Sequence, residues 1–179
     1  MDDQHEADGV DRILAQWQRE RPDLDVSPMA VIGRLSRAAA AVENRLADTY
    51  AQLGIDASAF DVLATLLRNG PPHALTPAAL ADSAMLTSSA IAQRVNRLVS
   101  RGLVERAPHP TDGRQTLVHL TPAGRGLVER ALPRHLETEW AILADLDRDD
   151  RAALIDLLQR VSRSASDTWR SGSDPSDPH

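Results

Sequence analysis

The residues best suited to chemistry lie in the stretch 87–101, where short hydroxyls, amides and arginines occur together without an acid. Hydroxyls and amides can hydrogen-bond to base edges, and guanidinium groups reach phosphates or guanines, so this combination is typical of a helix in the major groove of DNA. We therefore predict DNA contacts from the polar residues of this stretch, namely Thr87, Ser88, Ser89, Gln93, Asn96, Arg97 and Arg101.

The same stretch carries the signals of a complete helix. Thr87 can accept a hydrogen bond from one of the first unpaired amides, and Gly102 can end the helix. Ile91, Val95 and Leu98 recur at helical spacing and form one apolar stripe. The spacing thus predicts a helix with a buried side and a polar outer side.

Arg94 is the exception, because its position places it along the apolar stripe. A buried guanidinium is costly unless it is paired. From the spacing alone two roles stay open: a structural ion pair, or a side chain that extends past the apolar surface into solvent.

A β-hairpin is predicted after this helix, since the periodicity changes from helical to alternating. Residues 103–107 and 116–120 are predicted strands, and the segment between them is rich in turn-forming residues. Arg114 at the tip is placed to enter a minor groove, and Asp112 is close enough in sequence to support it. A short helix from Thr76-Pro77 to Ala84 precedes the recognition stretch, which completes a winged helix-turn-helix.

The other predicted helices lie on both sides of this unit. Before it come an amphipathic helix at 10–20, a long helix that runs from Ser27-Pro28 almost to Gly54, and a helix capped by Asp56. In the long helix Ser27 is the predicted cap and Pro28 lies in the first turn. After it come a helix that starts at Thr121-Pro122, in which Pro133 predicts a kink or a brief break, and a helix capped by Asp147.

The resulting fold class is mainly α, with a small β component. We assign 1–26 to an extra N-terminal helix and a break, 56–121 to the winged helix-turn-helix, and 27–55 with 122–165 to a dimerisation region. From Ser162 onward Ser, Asp, Gly and Pro dominate, which predicts disorder, and 166–179 are assigned to a disordered tail. The long helices carry more apolar surface than the winged helix needs. We expect this surface to be buried in a homodimer, the alternative being a second domain that folds back on the same chain.

Composition limits the classes of function. The net charge of −6 is unusual for a DNA-binding protein, but arginines cluster in the middle of the chain while the acids lie mostly elsewhere. The absence of cysteine among the 179 residues excludes disulfides and thiolate metal sites. No apolar run approaches the length of a membrane span, so a cytoplasmic protein is expected.

The order of elements resembles the MarR family of bacterial transcription regulators. The motifs that carry the resemblance are Leu86-Thr87-Ser88-Ser89-Ala90, Arg94-Val95-Asn96-Arg97-Leu98, Gly102-Leu103-Val104-Glu105-Arg106, Asp112-Gly113-Arg114 and Leu120-Thr121-Pro122-Ala123-Gly124. The resemblance covers nearly the whole chain except the tail. It implies a DNA-binding regulator, in keeping with the helix 87–101.

The extra N-terminal helix is similar to that of the urate-responsive subgroup that includes HucR, PecS and TamR. This resemblance implies a ligand site at Trp17, Asp61, Arg94 and Arg106, with Asp61 as the ionic partner of Arg94. For Trp17, a packing role on the added helix stays open beside a stacking role on the ligand. The chain differs from the subgroup pattern at Gln93-Arg94-Val95-Asn96 and at Gly113, so its operator bases and wing contacts can differ too.

The predicted function is that of a DNA-binding regulator, and of a repressor in particular, which binds a palindromic promoter site as a homodimer and is released by a small anion such as urate. An enzyme is not predicted, because the histidines are scattered and no phosphate-binding glycine loop occurs; no cofactor or metal is expected. The alternatives are a winged-helix module that binds protein, or a regulator of the same family that responds to another ligand.

Overall fold

Seven helices and three short strands make up the part of the chain that the computed structural model describes, residues 8–83, 88–109, 112 and 114–171. In chain order they are α1 (Gly9–Glu20), α2 (Ser27–Gln52), α3 (Ala57–Arg68), β1 (Ala74–Leu75), α4 (Pro77–Ser83), α5 (Ser88–Ser100), β2 (Val104–Pro108), β3 (Thr116–Leu120), α6 (Pro122–Ile142) and α7 (Arg148–Ser171). The predicted class, mainly α with a winged helix-turn-helix, is confirmed. No helix in these described ranges is both long and apolar enough to cross a membrane.

Side-chain caps start several of the helices, as the sequence predicts. The carboxylate of Asp56 accepts a hydrogen bond from the Ala59 amide at 2.7 Å, and the Thr76 hydroxyl accepts one from the Ala79 amide at 3.2 Å. Asp147 accepts from two amides in the first turn of α7. Each cap satisfies amides that have no partner inside the helix, so these boundaries follow from local chemistry.

The start of α2 differs from the prediction. Ser27 is the first helical residue and not the cap, because the cap position belongs to Val26, which makes no side-chain hydrogen bond. The carboxylate of Asp25 accepts from the Ser27 amide at 2.9 Å and so satisfies one of the free amides. The prediction of Ser27 as a cap was therefore wrong by one position, although Pro28 lies in the first turn as expected.

The sheet has three antiparallel strands in the order β1-β3-β2. In the hairpin, Val104 lies opposite Leu120 and Arg106 opposite Val118. The strand β1 was not predicted, since two residues are too short to show an alternating pattern. It pairs with the free edge of β3 and joins the wing to the segment before α4.

The core of the winged helix lies among α3, α4, α5 and the sheet. The apolar stripe predicted on α5 is buried, with exposed fractions of 0% for Ile91, 1% for Val95 and 2% for Leu98. These side chains pack in one cluster with fully buried residues of the neighbouring elements, Val62, Leu63, Leu66, Leu80, Val118 and Val128. This packing fixes which side of α5 faces outward.

The chain divides into two compact units, Met1–Thr138 and Glu139–His179. The second unit contains the last turn of α6 and the whole of α7, and within it the Arg151 guanidinium lies 5.1 Å from the Trp140 ring. α6 continues through Pro133, so of the two predicted outcomes there, a kink or a brief break, the break does not occur. The expectation of disorder from Ser162 is wrong in part, because α7 continues to Ser171 and each residue added to an existing helix gains a hydrogen bond. The rest of the predicted tail, 172–179, lies outside the described residues.

Candidate nucleic-acid interface and ligand site

The outer face of α5 presents the polar residues that the sequence assigns to DNA. Gln93, Asn96, Arg97 and Ser100 are exposed, and they stand opposite the buried stripe. Ser88 and Ser89 form the first turn of the helix, while Thr87 lies outside the described residues. The described part of this face contains no acid, so its chemistry suits phosphates and base edges.

Arg101, which the sequence assigns to DNA, is engaged with the protein. Its Nη2 donates a hydrogen bond to the carbonyl oxygen of Gly54 at 2.8 Å. This carbonyl belongs to the turn that follows α2, where Gly54 adopts a positive φ of 69°. Arg101 therefore ties the end of α5 to the end of α2, a contact between residues 47 positions apart that no local pattern indicates.

In the described part of the wing tip, Asp112 bonds to the backbone amide of Arg114, and its role in supporting the Arg114 side chain stays a prediction. The two carboxylate oxygens of Asp112 accept from the Arg114 amide at 3.1 Å and from the Gln115 side-chain amide at 2.9 Å. The Arg114 side chain is exposed. Asp112 thus shapes the turn from which Arg114 extends.

Arg94 and Asp61 meet, as the resemblance implies. Nη1 of Arg94 lies 4.0 Å from a carboxylate oxygen of Asp61, which is a loose pair between α5 and α3. The Arg94 side chain is only 22% exposed, whereas that of Asp61 is 57% exposed. Nη1 of Arg94 is also buried and has no hydrogen-bond partner within the described ranges. A largely buried cation with an unsatisfied N–H group is a strong recognition element for an anion.

Asp61 also borders a cleft of about 360 Å³. Tyr50, Phe60 and His135 form an aromatic wall there, in which the Tyr50 and Phe60 rings stack at 4.7 Å and the Tyr50 hydroxyl is 2.9 Å from Nδ1 of His135. Arg68 lines the same cleft. These residues come from α2, α3 and α6, and sequence reasoning did not assign them because they are brought together only by packing.

The charges around Asp61 act in opposite directions. Desolvation raises the pKa of Asp61 above its usual value. The nearby charges of Arg94, His135 and Arg68 lower it and do not cancel the rise. Asp61 is therefore a carboxylate held at some cost beside three cationic or protonatable groups.

A second, smaller cleft of about 160 Å³ lies along α5 and includes Arg94, Arg97 and Arg101. Asp56 borders it, and the Ser58 hydroxyl donates to the Asp56 carboxylate at 2.6 Å. This hydrogen bond, the Ala59 amide and the charge of Arg97 lower the pKa of Asp56. Asp56 thus serves both as the cap of α3 and as a counter-charge to the arginines of α5.

Trp17 and Arg106, the other two residues implied as ligand contacts, are placed differently. Trp17 lies on α1, which packs against α2, and its side chain is 42% exposed; it lines neither cleft that borders Asp61 or Arg94. Nη2 of Arg106 donates to Oδ1 of Asn96 at 2.8 Å. Within this chain the structure therefore brings Asp61 and Arg94 together and directs Arg106 to the recognition helix.

Known proteins are similar to this chain in sequence and in fold. The model of the MarR family matches residues 53–115, from the end of α2 to the wing. The transcriptional regulator PecS of Dickeya dadantii is 37% identical over 154 residues, which are 86% of this chain and 93% of PecS. The chain belongs to the MarR family. The match to PecS also confirms the resemblance to the subgroup that includes PecS, and a DNA-binding transcriptional regulator, not an enzyme, is the class of this protein.

Two solved structures have the same fold. A mutant of MarR from E. coli, solved in complex with operator DNA, is 28% identical with a TM-score of 0.68, covering 77% of this chain and 99% of that one. BpsR from Bordetella bronchiseptica, whose DNA binding is regulated by 6-hydroxynicotinic acid, is 27% identical with a TM-score of 0.66, covering 74% of this chain and 92% of that one.

Proposed function

We propose that this MarR-family protein is a repressor that binds a palindromic promoter site as a homodimer and is released by a small aromatic anion of the urate type. The observation that carries the proposal is the loose contact between Arg94 and Asp61, which links the recognition helix α5 to α3. A ligand can act on DNA binding only if it interacts differently with two arrangements of the protein. A cation with an incompletely satisfied N–H group supplies such a difference.

The DNA-binding part of the proposal rests on α5 and the wing. Gln93, Asn96 and Arg97 are exposed on one side of α5, and Arg114 extends from a turn shaped by Asp112. In the proposed complex α5 lies in the major groove, with Ser88 and Ser89 at its start, and Arg114 enters the adjacent minor groove. The related E. coli MarR has been solved with operator DNA, which supports this mode of binding.

The homodimer is supported by apolar side chains that remain uncovered in each unit of the chain. In the first unit Val31 is 60% exposed and Ile32 is 54% exposed. In the second unit Trp140 is 61% exposed and Ile155 is 57% exposed. Exposed apolar surface of this kind marks an interaction site, and a two-fold dimer fits a palindromic site.

In the proposed mechanism the anion replaces Asp61 as the partner of Arg94. Binding of a carboxylate, or of the acidic purine urate, would satisfy the free Arg94 N–H group and, through Arg94, turn α5 out of the register that fits DNA. The Asp61 contact, at 4.0 Å, is too loose to fix α5 by itself, so DNA binding does not depend on it. The regulation of BpsR by 6-hydroxynicotinic acid supports a ligand of this chemical class. A differential affinity of about 10⁴-fold would move nearly the whole population from one arrangement to the other.

The proposal can be tested by titrating the protein against its own upstream intergenic DNA with and without urate, xanthine and 6-hydroxynicotinate. Arg94→Ala should bind the DNA within about threefold of the wild type but resist release by the ligand. Arg97→Ala, on the outer face of the same helix α5, is the matched control: it should weaken DNA binding and lower the salt dependence while keeping the ligand response.

Thermal melting of both variants separates a loss of function from a loss of folding. Release of the Arg94→Ala complex at the wild-type ligand concentration would refute the ligand site. If the wild-type protein binds random DNA as strongly as the promoter at moderate salt, the proposal of a specific operator in that promoter is refuted.

A further inference from the structure

Arg106 has a side-chain contact that neither DNA binding by α5 nor ligand binding at Asp61 requires. It is the third residue of β2, and its Nη2 reaches across to α5 and donates to Oδ1 of Asn96 at 2.8 Å. Both side chains are exposed, and Asn96 lies on the outer face of α5 with Arg97 and Gln93. The contact therefore joins the wing to the recognition helix at the surface proposed to meet DNA.

This hydrogen bond determines which end of the Asn96 amide is available. An asparagine amide has an acceptor, Oδ1, and two donors on Nδ2, and a free amide can turn over to present either end to a base. The Arg106 guanidinium is a donor with no acceptor, so it stabilises only the orientation in which Oδ1 faces the wing. The donors on Nδ2 are then the groups left for the groove.

We infer that Arg106 is a specificity-determining positioning residue, which holds Asn96 as a hydrogen-bond donor towards the bases. In the major groove, purine N7, guanine O6 and thymine O4 are acceptors, whereas cytosine offers only its amino donor. Asn96 held in this way discriminates against cytosine at one base per half-site. This inference rests on the proposed binding of α5 in the major groove, and it requires no role of Arg106 in ligand binding.

The test is selection of binding sites from random DNA by the full-length protein, followed by affinity measurements on the selected palindrome. At one symmetric position the wild type should disfavour cytosine, and Arg106→Met should reduce that discrimination by about fivefold per half-site, equivalent to about 1 kcal/mol. Arg106→Lys keeps a cationic donor and should restore part of it. Arg130→Met removes the same charge from an exposed position on α6 and should leave the profile unchanged.

Asn96→Ala provides the decisive comparison, because a positioning residue acts only through its partner. In the Asn96→Ala background, Arg106→Met should cause no further change in base preference. A simple phosphate contact would instead weaken all DNA sequences alike and reduce the salt slope. The inference is overturned if Arg106→Met leaves the base preference at that position unchanged, or if it changes the preference equally with and without Asn96.

These outcomes separate the inference from the proposed function. A palindrome selected equally by the wild type and by Arg106→Met overturns the positioning role alone. Failure of the wild type to select any palindrome overturns both.

Discussion

Gly124 provides a sharp test of how the wing is attached to α6. A Cβ atom added at Gly124 would overlap the carbonyl oxygen of Leu103 and would lie 2.9 Å from its carbonyl carbon. That carbonyl oxygen is also the acceptor for the Thr121 amide at 3.2 Å and the Thr121 hydroxyl at 3.1 Å. Since the obstruction is backbone, Gly124→Ala can be accommodated only by moving α6 away from the segment that leads into β2.

The expected loss can be compared with the intrinsic gain of replacing glycine in a helix. Alanine in place of glycine stabilises a helix by about 1 kcal/mol. Overpacking typically costs about 1–3 kcal/mol, and each hydrogen bond to the Leu103 carbonyl that is lost costs about 1 kcal/mol. The clash therefore outweighs the helix propensity, and we expect Gly124→Ala to lower the free energy of unfolding by about 2–4 kcal/mol.

Gly126, two positions along the same helix, is the matched control. An added Cβ there meets only Nη1 of Arg130 at 3.5 Å, which is an ordinary contact with a flexible side chain. Gly126→Ala should therefore stabilise the protein by about 0.5–1 kcal/mol. Urea unfolding followed by far-ultraviolet circular dichroism, at one protein concentration, measures both changes. Equal stability of the two variants would refute the close approach of α6 to Leu103.

Two further predictions concern the carboxylates that face α5. Asp56→Ala should lower the free energy of unfolding by about 1 kcal/mol at neutral pH, since the cap of α3 is lost. Because the folded state lowers the pKa of Asp56, that stabilisation should be present above the usual carboxyl pKa and should disappear as the pH falls through the pKa of Asp56 in the folded state. A stability difference between Asp56→Ala and the wild type that is the same at every pH would contradict this prediction. The pKa of Asp61 is raised, so wild-type stability should fall as the pH rises from the usual carboxyl pKa through the folded value. Asp61→Asn should remove that fall, so the variant should melt at a higher temperature than the wild type at pH 7 but not at pH 4. The difference in the free energy of unfolding should stay within about 1 kcal/mol, because the Asp61 side chain is well solvated. A variant less stable than the wild type at pH 7 would show that the ion pair with Arg94 outweighs the desolvation of Asp61.

Much of the fold could be predicted because its signals are local. The caps at Asp56, Thr76 and Asp147 bond to amides two or three positions ahead, so the sequence contains both partners within one turn. The apolar stripe of α5 follows from helical spacing alone, and its burial confirms that prediction. The error at Ser27 lies where two local signals compete, because Asp25 also accepts a hydrogen bond from an amide at the start of α2.

The candidate site could be predicted only in part. The spacing on α5 identified Arg94 as a cation on an apolar stripe, and the family resemblance added Asp61 as its partner, which the structure places 4.0 Å away. The roles assigned to Trp17, Arg94, Asp61 and Arg106 in ligand binding stay predictions. The aromatic wall that includes Tyr50 and His135 was not predicted, since these two residues are 85 positions apart.

By itself the sequence determined the order of the elements, the outward chemistry of α5 and the local caps, because each depends on residues within a few positions of one another. Only the tertiary structure decided how the arginines divide their roles. Arg94 turns to Asp61, Arg101 to the Gly54 carbonyl and Arg106 to Asn96. All are guanidinium groups on long flexible side chains, so their partners are set by which acceptors the packed helices and the wing bring within reach.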